Sequence, residues 1–122
     1  MDELKIVDHH FVVGRHELRK RFGLDEWSVS VLTKPLYARQ LCLKCPSDFV
    51  SGRVPLYVCR CGDLECGALT VSVTEQDGTV EWAEFGQEGP SAHTVSQSEY
   101  MSRAGPFSFE KAAYIYTLSP FV

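Results

Sequence analysis

Three of the chain's five cysteines fall within eight residues, at Cys59, Cys61 and Cys66 in "VCRCGDLECGAL", and the other two stand at Cys42 and Cys45 in "CLKC". Sulfur at this density serves a metal, a redox reaction or simple packing. A structural zinc site needs four soft or borderline ligands around a tetrahedron. Cys42-x2-Cys45 would give one pair, and Cys59-x-Cys61 or Cys61-x4-Cys66 the other. Gly62 and Gly67 suit the tight turns that let backbone amides approach sulfur. Neither second pair has the C-x2-C spacing of a zinc knuckle, and Cys42 falls on a predicted helix. A redox pair needs a helix amino terminus to lower its thiol pKa, whereas "CLKC" closes the carboxyl end of that helix. Cysteine is also among the residue types most often buried as a small apolar side chain. The expectation is therefore no metal and no other cofactor. Cys45, Cys59, Cys61 and Cys66 are the zinc ligands of the alternative, a small cysteine-dependent zinc-binding or redox protein.

Other reactive groups are sparse. His9, His10 and His16 lack a ligand-like arrangement, because neighbouring residues on a strand point to opposite faces. His93 stands near Ser91, Ser96 and Ser98 without a nucleophile elbow. "RHELRKR" is a short basic run of the kind that forms a solvated helix face, and no phosphate-cradling glycine loop occurs. An enzyme is not expected.

The elements that must position these residues follow from periodicity. Residues 4–13 read as extended, with Gly14 as the break; Leu18 and Phe22 give a short helix ending at Gly23. Alternation of Trp27, Val29 and Val31 favours a strand. Pro35 opens a helix that runs towards Lys44 and stops before Pro46. Residues 53–59 read as a buried strand in which Pro55 marks a beginning or an edge. Leu69, Val71 and Val73 alternate with Thr70, Ser72 and Thr74, so "ALTVSVTEQDGTVEWAEF" is a β-hairpin. A four-residue connection over 75–78 sets Val73 opposite Val80 and Val71 opposite Trp82, with Glu81 near Ser72 on the polar face. Residues 86–106 read as a long loop, and "FSFEKAAYIYTL" as a closing helix capped by Ser108. The sum is a single α+β domain over residues 1–122: a mainly antiparallel sheet with a central β-hairpin and two or three helices packed on one face.

From Gly52 to Gly86 the chain reads "GRVPLYVCRCGDLECGALT" and then "VEWAEFG", with "GPFSFEKAAY" near its end. This resembles a family of small uncharacterised bacterial proteins whose central stretch runs close to G-R-V-x-L-Y-V-C-x-x-C-G-D-L-x-C-G-A-V-T, followed by a hairpin ending V-x-W-x-x-F-G. The resemblance implies no established activity. One residue separates Cys59 from Cys61 where that pattern has two, which counts against a metal knuckle.

At 122 residues with 44% hydrophobic and 23% charged side chains, the chain can build one core without metal or disulfide. The amino terminus lacks the build of a signal peptide and no apolar run reaches membrane-spanning length, so a cytoplasmic location with reduced thiols is expected. The net charge of −4 hides an asymmetry: residues 1–60 carry a surplus of +3, residues 61–110 a balance of −8. Such a block repels nucleic acid and steers a cationic partner. In size, acidity and lack of catalytic residues the chain is similar in a general way to bacterial immunity proteins, which neutralise nuclease toxins. The expected function is accordingly non-enzymatic binding of a basic, toxin-like protein, with Asp77, Glu81, Glu84 and Glu88 as the contact residues and no nucleic-acid or membrane partner.

Overall fold

Alternating apolar residues pair into two antiparallel sheets in the computed structural model, which describes residues 1–24, 27–61, 66–90 and 95–122. The smaller sheet is β1 (Leu4–Val7), β2 (His10–Val13) and β3 (His16–Glu17), in that order. The larger runs in sequence order through β4 (Ser28–Ser30), β5 (Val54–Cys59), β6 (Ala68–Gln76), β7 (Thr79–Glu88) and β8 (Phe107–Glu110). Among the described residues, four α-helices join them: α1 (Leu18–Arg21), α2 (Pro35–Leu41), α3 (Glu99–Arg103) and α4 (Lys111–Leu118). The fold is α+β and antiparallel, with the β6–β7 hairpin at the centre of the larger sheet. Among the described residues, no helix is long and apolar enough to cross a membrane.

The core lies between the sheets. Phe11 of β2 meets Tyr57 of β5 and Trp82 of β7 edge-on, with ring centroids 5.7 and 5.8 Å apart. Trp82 in turn packs edge-on against Phe109 of β8 and Tyr114 of α4. Side chains as large as Trp82 and Tyr57 are fully buried, and each such ring contributes a few kcal/mol of apolar transfer. The face of the larger sheet is thus covered by a second sheet as well as by helices, because residues 4–13 do not form one extended segment. Asp8 and His9 take φ of +50° and +67°, a tight turn that folds the segment onto itself as β1 and β2.

Four other expectations need correction. The hairpin connection is two residues, not four: Asp77 and Gly78, with φ of +52° and +79°, let Gln76 pair with Thr79. Val73 therefore faces Trp82 rather than Val80, and Glu81 faces Thr74 rather than Ser72. The shift is two residues, which preserves the buried face. The expected closing helix begins as strand β8, which pairs with β7; α4 starts only at Lys111, and the Glu110 carboxylate, not Ser108, accepts from its first amides, Ala112 and Ala113. Pro55, by contrast, stands at the beginning of β5 as expected, although that strand is interior to the sheet. It is tolerated because β4 pairs only with Tyr57–Cys59 and a register irregularity separates Pro55 from Tyr57 on the β6 side. Helix α2 ends at Leu41, so Cys42 is its C-cap. The 86–106 stretch is partly ordered: β7 continues to Glu88, Gln87 and Ser96 exchange backbone hydrogen bonds of 2.7 and 2.9 Å, and Ser98 caps α3.

Candidate functional site

The hairpin carries candidate chemistry at both ends. At the open end, β5 and β6 pair through Val58 and Ala68, so the connection that follows Cys59 must return beside it at Cys66. Cys61 stands in that connection. The three sulfurs lie within 4.8 Å of one another, with Cys59 half-buried and Cys61 and Cys66 exposed. Donation of the Cys66 S–H to the Cys59 and Cys61 sulfurs, with the negative charge those sulfurs can carry, pushes the Cys66 thiol up to about 11. A thiol held protonated in this way is a poor nucleophile at neutral pH. Cys59 and Cys66 open onto a cleft of about 460 Å³ shared with Trp27, Gly67, Gln87 and Glu88.

Of the four sulfurs in the zinc alternative, Cys45 lies outside this group. Cys42 is buried at the C-cap of α2, where burial raises its thiol pKa, Lys44 acting weakly in the other direction. None of the five cysteines is in a disulfide. Asp63, Glu65, Ser91 and His93 lie outside the described residues.

At the closed end, Asp77 and Glu81 are exposed and line a shallow polar cleft with Thr74, Gln76 and Thr79. Glu84 and Glu88 do not extend this surface in the expected way. Between Ser72–Ala83 and Thr70–Gly86, β7 carries one residue more than β6, a bulge in which Glu84 takes φ of +57°. The bulge turns Phe85 into the core and Glu84 out. Glu84 lies 3.7 Å from the Arg53 guanidinium. Glu88 is buried, its side chain 1% exposed, and pairs with the same guanidinium at 3.7 Å while accepting from the Ser51 hydroxyl. Arg53 also donates to the Thr70 hydroxyl at 3.0 Å and the Thr70 carbonyl at 3.3 Å. Burial pulls the Arg53 guanidinium below its ordinary pKa, and Glu88 and Glu84 oppose that shift. Glu88 therefore belongs to a buried ion-pair network and is not available to a docking protein. This network joins residues distant in sequence and had no local signal beyond the lone arginine in "SGRV".

Beside the acidic turn lies a feature that sequence reading missed. Gly78, Lys111, Ala112, Ile115 and Tyr116 line an open groove of about 740 Å³, on whose rim Tyr116 is 80% exposed. The strand misread as helix hid it: only with α4 starting at Lys111 do Ala112, Ile115 and Tyr116 come to flank the turn, where the Lys111 amide donates to the Gly78 carbonyl at 2.9 Å. Lys111 also pairs with Glu75 at 3.1 Å, so this end of the hairpin is not purely acidic.

No protein-family model, curated protein or solved structure matches the chain.

Proposed function

We propose that the protein works by binding another protein, and that its partner is basic, in the manner of an immunity protein that blocks a nuclease-like toxin in the bacterial cytoplasm. The observation that carries this reading is the adjacency of an open apolar groove, rimmed by an exposed tyrosine, to the acidic turn at Asp77 and Glu81. Contact surfaces with this composition bind well. An aromatic anchor in an apolar patch supplies the energy, and the charges around it supply orientation and on-rate. The proposed compartment is reducing and so suits a chain of five cysteines without a disulfide among them.

The binding surface is therefore smaller than sequence alone implies. Asp77 and Glu81 remain on it, Glu84 contributes from the bulge while sharing Arg53, and Glu88 drops out. The reading is tested by mixing the purified chain with the product of the gene adjacent to its own and measuring that product's activity. Stoichiometric inhibition, lost on Tyr116→Ala, is the expected result. A complex that forms equally well with Tyr116→Ala and Asp77→Lys/Glu81→Lys, or an adjacent product that is not bound, contradicts the reading.

A further inference from the structure

We infer that Cys59, Cys61 and Cys66 are a soft-metal site, three thiolate ligands for a zinc ion at the open end of the hairpin. Three independent features of the chain converge there. The β5–β6 register returns Cys66 to Cys59, the connection supplies Cys61, and the sulfurs end within 4.8 Å of one another. Thiolates bound to one tetrahedral zinc at ~2.3 Å stand about 3.8 Å apart, so the observed group needs only a small contraction. Gly67, between Cys66 and the start of β6, takes a φ of +117° that suits glycine.

Competing explanations account for less. A disulfide uses two sulfurs and leaves the third without a purpose, and apolar packing does not explain why two of the three are solvent-exposed. Sulfur donors also select the metal class: thiolates favour zinc and other soft or borderline ions over calcium and magnesium. The missing residue between Cys59 and Cys61 rules out a standard knuckle turn, but here the pairing of β5 with β6, not a knuckle, sets Cys66 beside Cys59. Because Ser28 pairs with Cys59 and Ala68 with Val58, a metal at this point would fasten the ends of β4, β5 and β6 together. The site is separate from the partner surface, which lies at the other end of the same hairpin, and it stands or falls independently of that reading.

The test uses the full chain, reduced and stripped of metal, titrated with Zn(II) in competition with a chromophoric chelator. Stoichiometric binding is expected. Serine substitution of Cys59, Cys61 or Cys66 should each weaken it by ~100-fold or more, since changes even to outer-shell partners of a metal site reach about that size. Cys42→Ser and Cys45→Ser should leave affinity unchanged. Circular dichroism separates loss of a ligand from loss of fold. If a serine variant does not fold, the parent gives the same information: zinc should shield Cys59, Cys61 and Cys66 from a thiol-alkylating reagent, as mapped by peptide mass. Absence of stoichiometric binding, or a shielded set that omits one of these three, overturns the inference.

Discussion

The Trp82 indole N–H donates to the Tyr114 hydroxyl at 3.0 Å, and that hydroxyl donates onward to the Leu41 carbonyl at 2.7 Å. One buried oxygen thus ties the central strand β7 to α4 and to the end of α2. Burial raises the Tyr114 pKa far above its ordinary value, so the hydroxyl stays a donor throughout the working pH range. Tyr114→Phe leaves a buried N–H and a buried carbonyl without partners and should cost ~1–3 kcal/mol in urea unfolding. Trp82→Ala should cost about 3–5 kcal/mol, and the two changes together less than their sum, because each removes the same bond.

The Arg53–Glu88 pair makes a second stability prediction. Removing the carboxylate as Glu88→Ala takes the buried counter-charge from a guanidinium whose side chain is 9% exposed, leaving it only the exposed Glu84 and the Thr70 hydrogen bonds, and should cost about 3 kcal/mol. Glu84→Ala, at an exposed partner of the same arginine, should cost under ~1 kcal/mol. Equal effects in denaturant melts would show that the two carboxylates are not differently placed.

Much of the fold was legible because strand alternation survives small errors of register. Val71, Val80 and Trp82 share a buried face whether the turn has two residues or four, since both keep the same parity. Asp77-Gly78 is a dipeptide that favours a two-residue turn with both residues left-handed, as they are here, which is two residues shorter than the connection expected over 75–78. Residues 107–110 were not legible. Ser108 is a better cap by type than Glu110, and the pairing with β7 that overrides this preference is tertiary. The sites divide in the same way. The density of cysteines was visible, but which three converge depends on the pairing of β5 with β6, and the burial of Glu88 depends on Arg53 reaching it across β6.

Close packing at the β7 bulge supplies another test. A Cβ on Gly86 would collide with the Val95 side chain and lie 3.2 Å from the Ser96 carbonyl oxygen. Gly86→Ala should therefore destabilise the fold by roughly 1–3 kcal/mol, as overpacking does, and should loosen the Gln87–Ser96 bridge first. Faster amide exchange at Ser96 in the variant is the expected observation.

Zinc affinity should depend on pH in one direction. The Cys66 thiol, at about 11, is protonated at neutral pH, so a metal must displace its proton. Affinity should rise between about pH 6 and pH 8, with proton release detectable as a buffer-dependent binding enthalpy. A flat profile would contradict thiolate ligation at this cluster.

Association kinetics address the partner surface most directly. With the product of the adjacent gene as the basic partner, the on-rate of the parent should fall as salt rises, because exposed charges steer encounter and salt screens them. Asp77→Lys with Glu81→Lys should lower the on-rate at low salt, flatten its salt dependence and leave the urea melt nearly unchanged, both side chains being exposed. An on-rate unchanged by the double substitution, or tight binding that ignores ionic strength, would contradict the acidic turn as the binding surface.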